Sequence, residues 1–147
     1  MEEIIQEKIS ADHLLYVSLK YTKTCDIIIN LMHRWKEVIE MSIDNLLEYL
    51  EDKGKIDETP DTDMQKIDVI ERKFKNEKEI IDAVEFFRML RKIDELKKER
   101  SGEFRKNVNL KVYFQGTEIN INLEKLGEYG DLVEKFISKL KQYLMND

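Results

Sequence analysis

The sequence predicts a mainly α-helical fold, a bundle of four to five helices with one small β-hairpin at about residues 107–122, ahead of a C-terminal helix. Three observations carry this. Apolar residues recur at threes and fours over long stretches, the period of a helix with one buried face. One Pro and five Gly in 147 residues leave few breaks and argue against a loop-rich or disordered chain. One stretch switches to a two-residue alternation, the period of a strand. With 41 % apolar residues, 1–147 are long enough to bury one core and are read as a single domain.

The longest apolar pattern, 9–53, organises the rest. Leu14, Tyr21, Cys25, Ile28, Met32, Trp35, Ile39, Ile43, Leu46 and Leu50 form one row. Leu15, Leu19, Ile27, Leu31 and Val38 form a narrower row beside it. Two rows make a wide stripe that needs cover from more than one neighbour. Residues 2–21 read as the first helix. Glu2 and Glu3 suit its N-terminal dipole, and Ile5, Ile9, Leu14, Leu15, Val17 and Leu19 are expected on its buried side. As one rod, residues 2–53 would span roughly 78 Å. A domain of this size has a radius of gyration of about 15 Å, so the helix is expected to break and fold back. Two breaks offer themselves: Thr22-Lys23-Thr24, where Thr24 can cap a new helix, and Asn30. After Asp52-Lys53, Gly54 suits the left-handed C-terminal cap.

Residues 55–63, KIDETPDTD, are expected to form a loop, with Thr59 held extended by the only proline. Asp61 or Asp63 is expected to cap a short helix, 64–75, that buries Met64, Ile67, Val69, Ile70 and Phe74. Lys75-Asn76-Glu77 reads as a turn. A stronger helix, 78–100, follows with the row Ile80, Ile81, Val84, Phe87, Leu90, Ile93 and Leu96, broadened by Phe86 and Met89 and ended by Ser101-Gly102. In the hairpin, Val108, Leu110 and Val112 face one way, and Asn109, Lys111 and Tyr113 the other. Gln115-Gly116-Thr117 makes the turn, and Ile119 and Ile121 alternate with Asn120 and Asn122. A lone two-stranded hairpin is marginal in water, so it must pack on the helices or on another chain. Asn122 or Glu124 opens the last helix, about 123–145, which buries Leu126, Leu132, Val133, Phe136, Ile137, Leu140 and Leu144.

The charge is dominated by Lys and Glu, a pattern associated with thermophilic proteins. The net charge of −6 lies wholly in residues 1–60, which hold 7 basic and 13 acidic side chains. Within the neutral remainder, residues 88–106 carry eight basic groups against four acids. Arg88, Arg91, Lys92, Lys97, Lys98, Arg105 and Lys106 are therefore phosphate-binding candidates, together with Arg100. The competing reading is a solvated helix face. The single Cys25 makes neither an internal disulfide nor a zinc site and is read as a buried thiol in a reducing compartment. No run of about eighteen apolar residues is present, so no membrane span is expected. The start, MEEIIQEK, lacks the apolar core of a secretory signal, and a cytoplasmic location is expected.

The chain contains no glycine-rich phosphate loop, no GxSxG elbow and no HExxH helix, and no cofactor or metal is implied. Its two histidines, His13 and His33, have no second ligand at metal spacing and read as structural or surface residues. The segment that stands out is 99–107, ERSGEFRKN, which brings Arg100, Arg105 and Lys106 together with Phe104 between them.

Ala11-Asp12-His13-Leu14-Leu15-Tyr16, followed by Ile43-Asp44-Asn45-Leu46-Leu47-Glu48-Tyr49-Leu50-Glu51-Asp52-Lys53-Gly54, resembles HEPN (higher eukaryote and prokaryote nucleotide-binding) domains. The resemblance covers residues 9–107. It implies a bundle of about four or five helices. In the ribonucleases of that family an arginine is followed, after four to six residues, by a histidine, usually in a cleft between two subunits. Here Arg100 is followed after six residues by Asn107. Asparagine exchanges no proton near neutral pH and cannot replace histidine as a general acid or base. The resemblance therefore implies phosphate contact by Arg100 and Arg105 rather than cleavage. The expectation is a non-catalytic, homodimeric HEPN-like module binding RNA, a nucleotide or a partner protein. One alternative is a purely structural protein–protein adaptor. A second is an RNA-processing enzyme whose site is not recognisable.

Overall fold

The structure, a computed structural model, describes residues 1–145. Helix α1 runs Glu2–His13, passes through a π-helical turn, Leu14–Ser18, and finishes Leu19–Tyr21. Helix α2 is Cys25–Asp52, α3 is Asp63–Lys73, and α4 is Lys78–Leu90. Strands β1 (Lys98–Ser101), β2 (Asn109–Phe114) and β3 (Thr117–Asn122) precede helix α5 (Leu123–Leu144). The strands form one antiparallel sheet in the order β1-β2-β3.

The rod breaks at residues 22–24. Thr24 has extended backbone, and its side chain accepts a hydrogen bond from the Ile27 amide at 3.3 Å, which starts α2. Asn30, the other expected break, sits exposed within α2 and leaves it unbroken. At the far end Gly54 takes φ +70°, the left-handed cap.

Helix α2 is the central element. Twelve of its residues are buried, from Cys25 to Leu50, and α1, α3, α4, α5 and β2 all pack on it. Trp35 lies near its middle, 1 % exposed, edge-on to Phe86 of α4 and Tyr129 of α5. The wide stripe is thus covered within one chain, and so is the inner face of the sheet, where Leu110, Val112 and Ile121 are buried. Both sequence reasons for expecting a second copy are met internally.

Helix α1 buries other residues than its period predicts. Leu19 is buried as expected, but so are Ile4 and Ala11, while Ile9, Val17 and Tyr21 are exposed. From Val17 onward the cause is the π-helical turn, in which the Leu19 amide donates to the Leu14 carbonyl five residues back. This shifts every residue after it around the helix.

Helix α3 is capped by Thr62, whose side chain accepts from the Gln65 amide at 3.2 Å, not by Asp61 or Asp63. Asp63 instead occupies the first turn, where a carboxylate suits the dipole. Met64, expected inside, is exposed at the outer end of this helix, with the Arg91 guanidinium 3.6 Å from its sulfur.

The largest departure concerns residues 91–101. The expected helix 78–100 stops at Leu90, residues 91–96 form turns, and Lys98–Ser101 become a strand. Local preference favours a longer helix here, but β2 would then have an open edge. Pairing of Lys98 with Val112 through Ser101 with Asn109 closes that edge. The expected hairpin becomes a three-stranded sheet, the smallest that is stable without special help. Gln115 and Gly116 both have positive φ, +52° and +78°, the two-residue hairpin turn that matches strand twist. Thr117, expected in the turn, is the first residue of β3. Asn122 caps α5 by accepting from the Lys125 amide at 2.8 Å, as one of the two expected starts requires. Among the described residues, no helix is long and apolar enough to cross a membrane.

Candidate functional site

Because α4 ends early, the basic residues of 88–106 do not share a helix face. Most have partners. Arg88 bonds Glu71 and lies 3.3 Å from Glu85. Arg91 Nε is 3.5 Å from Asp63, close enough to pair but without hydrogen-bond geometry. Lys92 is 3.5 Å from Glu95, and Lys97 stands over the Tyr113 ring at 5.3 Å. Lys98 donates to the Leu96 carbonyl at 3.0 Å, and Arg100 to Asp26 at 2.7 Å. Such surface pairs add little stability, but carboxylates neutralise four of the eight cations, Arg88, Arg91, Lys92 and Arg100. Arg105 and Lys106 are exposed and have no ion pair among the described residues.

Arg105 and Lys106 lie in the loop between β1 and β2, and its shape follows from its sequence. The Arg105 amide donates to the Gly102 carbonyl and the Val108 amide to the Arg105 carbonyl, each at 3.0 Å, so two turns follow one another. Gly102 has φ +66°, and a Cβ there would come within 2.4 Å of the Asn107 carbonyl oxygen, so only glycine fits. Two bonds fix the loop to the α1–α2 junction. The Phe104 amide donates to the Lys23 carbonyl at 2.7 Å. The Cys25 amide donates to the Glu103 carboxylate at 3.1 Å, which also sets a negative charge at the N-terminus of α2.

Phe104 is the outcome of this anchoring. It has φ +67°, a region bulky residues avoid, at a cost of about 1–2 kcal/mol. Its ring gains no burial in return: the residue is 74 % exposed. Tyr21, at the end of α1, is 78 % exposed, with the Lys20 ammonium 5.8 Å from its ring. Lys23 donates to the Lys20 carbonyl at 2.7 Å. Since Phe104 is bonded to Lys23, the loop brings two exposed aromatic rings and the cations of Lys20, Lys23, Arg105 and Lys106 to one junction.

A groove of about 520 Å³ opens beside the loop. Ser101, Lys106, Asn107, Asn109, Asn120 and Asn122 line it. The Asn109 amide donates to Asn120 at 2.9 Å, and the buried Asn109 Oδ1 has no hydrogen-bond partner. Side-chain amides carry both donors and acceptors, the combination that base edges present. Arg100 and Asn107, the candidate motif pair, are not brought together by any hydrogen bond among the described residues. Arg100 is held by Asp26, and Asn107 is exposed at the groove.

The sequence signalled the loop through Arg105, Lys106 and Phe104, but not the contribution of Lys20, Tyr21 and Lys23. Only the bond between residues 104 and 23 joins them, and no local pattern announces it. The sequence also concealed a contact between His33 and Asp94, whose Nε2 and Oδ1 lie 2.7 Å apart although 61 positions separate them. The His33 hydrogen bond holds the Asp94 carboxyl below its ordinary value. The pair is exposed. No group of three or more residues able to hold a metal occurs among the described residues. Cys25 is buried, and its thiol donates to the Asn109 carbonyl at 3.3 Å. Burial, and then the nearby Glu103, pushes the thiol up to about 12, so it stays protonated and inert at neutral pH.

Comparison of the chain with known protein families, with curated proteins and with solved structures returns no match.

Proposed function

We propose that the protein is a non-catalytic, HEPN-like module that binds single-stranded RNA at the loop 102–107 and the end of α1. Phe104 carries this reading: a strained, exposed aromatic ring beside Arg105 and Lys106, which have no ion pair among the described residues. Aromatic rings that are exposed beside a basic surface stack unpaired bases, and every base offers such a face. Arg105, Lys106, Lys20 and Lys23 supply phosphate contacts, and the amide groove receives a neighbouring base. Arg100 supports the loop through Asp26 rather than meeting phosphate. Asn107 supplies no acid or base, so RNA is expected to remain intact.

The test is fluorescence anisotropy of a labelled twelve-nucleotide single strand at 50 and 200 mM salt, with the same samples run on a gel. Two to four phosphate contacts predict affinity roughly 7- to 50-fold weaker at the higher salt. No binding at the lower salt would sink the proposal and leave the adaptor. Cleaved RNA would instead favour the processing enzyme. The adaptor reading draws on one observation of its own: Arg88, Arg91, Lys92 and Arg100 all face carboxylates.

The homodimer belongs to the same proposal, on different residues from those first expected. Ile9, Tyr16 and Val17 leave an exposed apolar patch on α1, and pairing there would present two loops to one strand. Light scattering at high concentration is expected to give twice the 17.6 kDa chain mass. A mass of one chain would remove the dimer and leave the loop proposal standing. A cytoplasmic setting accords with this reading, since the one thiol is buried and unpaired.

A further inference from the structure

The groove beside loop 102–107 holds about 520 Å³, room for one base, and the groups that line it fall into two kinds. The first are donors. Asn120 and Asn122 both have their side-chain oxygen engaged. That of Asn120 accepts from the Asn109 side-chain amide at 2.9 Å, and that of Asn122 from the Lys125 backbone amide at 2.8 Å. Each is left with an NH2 group that has no acceptor among the described residues. Lys106 adds an ammonium with no ion pair among the described residues.

The second kind is a single carboxylate. Glu124 lines the same groove and is exposed in the first turn of α5, where the helix dipole favours its charge. The neighbouring Lys125 lies 3.7 Å from Glu128 instead. No hydrogen bond or ion pair engages the Glu124 side chain among the described residues. A carboxylate in that condition accepts two parallel N–H bonds. Asn109 Oδ1, the other acceptor at the groove, is buried beyond the reach of a ligand. Asn107 and Ser101 can each donate or accept and set no preference.

We infer that this groove selects guanine in the bound strand, next to the base stacked on Phe104; the inference rests on the RNA reading above and deepens it. Glu124 takes the N1–H and the N2 amino group of guanine together, and the donors of Asn120, Asn122 and Lys106 are available to O6 and N7. Guanine is the one common RNA base that sets two N–H donors side by side next to two acceptors. Adenine and cytosine would bring a ring-nitrogen lone pair against the carboxylate, and uracil a carbonyl oxygen. Each is a repulsion that disfavours the wrong base. The unpaired bases of a single strand leave these edges open to the protein. Phe104 supplies affinity for any base, and the groove supplies the choice among them.

The probes are labelled twelve-nucleotide uridine strands with one central position varied, read by anisotropy. A central guanosine is expected to bind about fivefold or more tighter than adenosine, cytidine or uridine at that place. Inosine, which lacks only the N2 amino group, is expected to fall between, since it keeps one of the two bonds to Glu124. Glu124→Gln, checked by circular dichroism and a thermal melt, is expected to remove most of the difference between guanosine and inosine, whatever it does to the uridine strand. Phe104→Ala is expected to weaken every strand and leave the guanosine preference standing. Equal binding of all four strands, preference for another base, or a guanosine preference that survives Glu124→Gln would overturn the guanine assignment while the RNA reading stands. Guanosine monophosphate binding as tightly as the guanosine strand would make this a mononucleotide site and overturn it too. No binding of any strand, uridine included, would remove the RNA reading itself and the guanine assignment with it.

Discussion

Phe104→Asn is expected to remove most single-stranded RNA binding while leaving the protein as stable as before or slightly more so. Loss of one base–ring stack costs about 1–3 kcal/mol, or roughly 5- to 150-fold in affinity. The folded state loses little, because the ring is 74 % exposed. It gains relief of strain, because asparagine tolerates the left-handed region that phenylalanine resists. Each kcal/mol recovered would raise Tm by about 2–4 °C in a chain of this size. A ring kept for packing would behave in the opposite way, with a falling Tm and unchanged binding. Anisotropy and a thermal melt on the same sample separate the two. Arg105→Ala and Lys106→Ala should each lower the salt slope by about 0.7 without moving Tm.

Trp35→Ala is expected to have the largest effect on stability, about 3–5 kcal/mol by urea unfolding. The residue is 1 % exposed and joins α2, α4 and α5 through its contacts with Phe86 and Tyr129. Domains of this kind hold only about 5–15 kcal/mol in total, so the variant should be folded marginally or not at all. Trp35→Phe should cost far less, since it keeps a ring between those two neighbours. A loss below about 1 kcal/mol in the alanine variant would show that the three helices are held together elsewhere.

Much of the bundle was legible because its signals are local. Thr24, Gly54 and Asn122 mark helix ends through bonds made within four residues. The buried rows of α2 and α5 follow a period that packing preserves. Residues 91–101 were misread because every local signal there favours a helix, whereas the deciding partner, β2, lies about ten residues further on and offers an open edge. The candidate site was half legible. Phe104, Arg105 and Lys106 are adjacent in the chain, but the exposure of Phe104 depends on Gly102 and on the bond to Lys23. The clustering of Lys20 and Tyr21 with them depends on the same bond. The stacked pair of Phe86 and Tyr129 was invisible for a related reason. Phe86 reads as an ordinary apolar position, Tyr129 lies outside the row of α5 expected to be buried, and only the crossing of α4 and α5 stacks them.

The π-helical turn at Leu14–Ser18 makes α1 one residue longer than its burial requires. Successive residues of a regular helix turn by about 100°, so Ala11 and Leu19, eight positions apart, would lie about 80° out of line. The turn absorbs one residue and brings them within about 20°. Chain length and burial are therefore adjusted to each other at this point alone. A deletion of Val17 should be absorbed, with the turn reverting to regular helix and Leu19 still inward. A deletion of Gln6 should swing Ile4 out of the core and lower Tm. The extra residue acts as a vernier, and it is the one place in α1 where the spacing of the chain can change without moving its buried face.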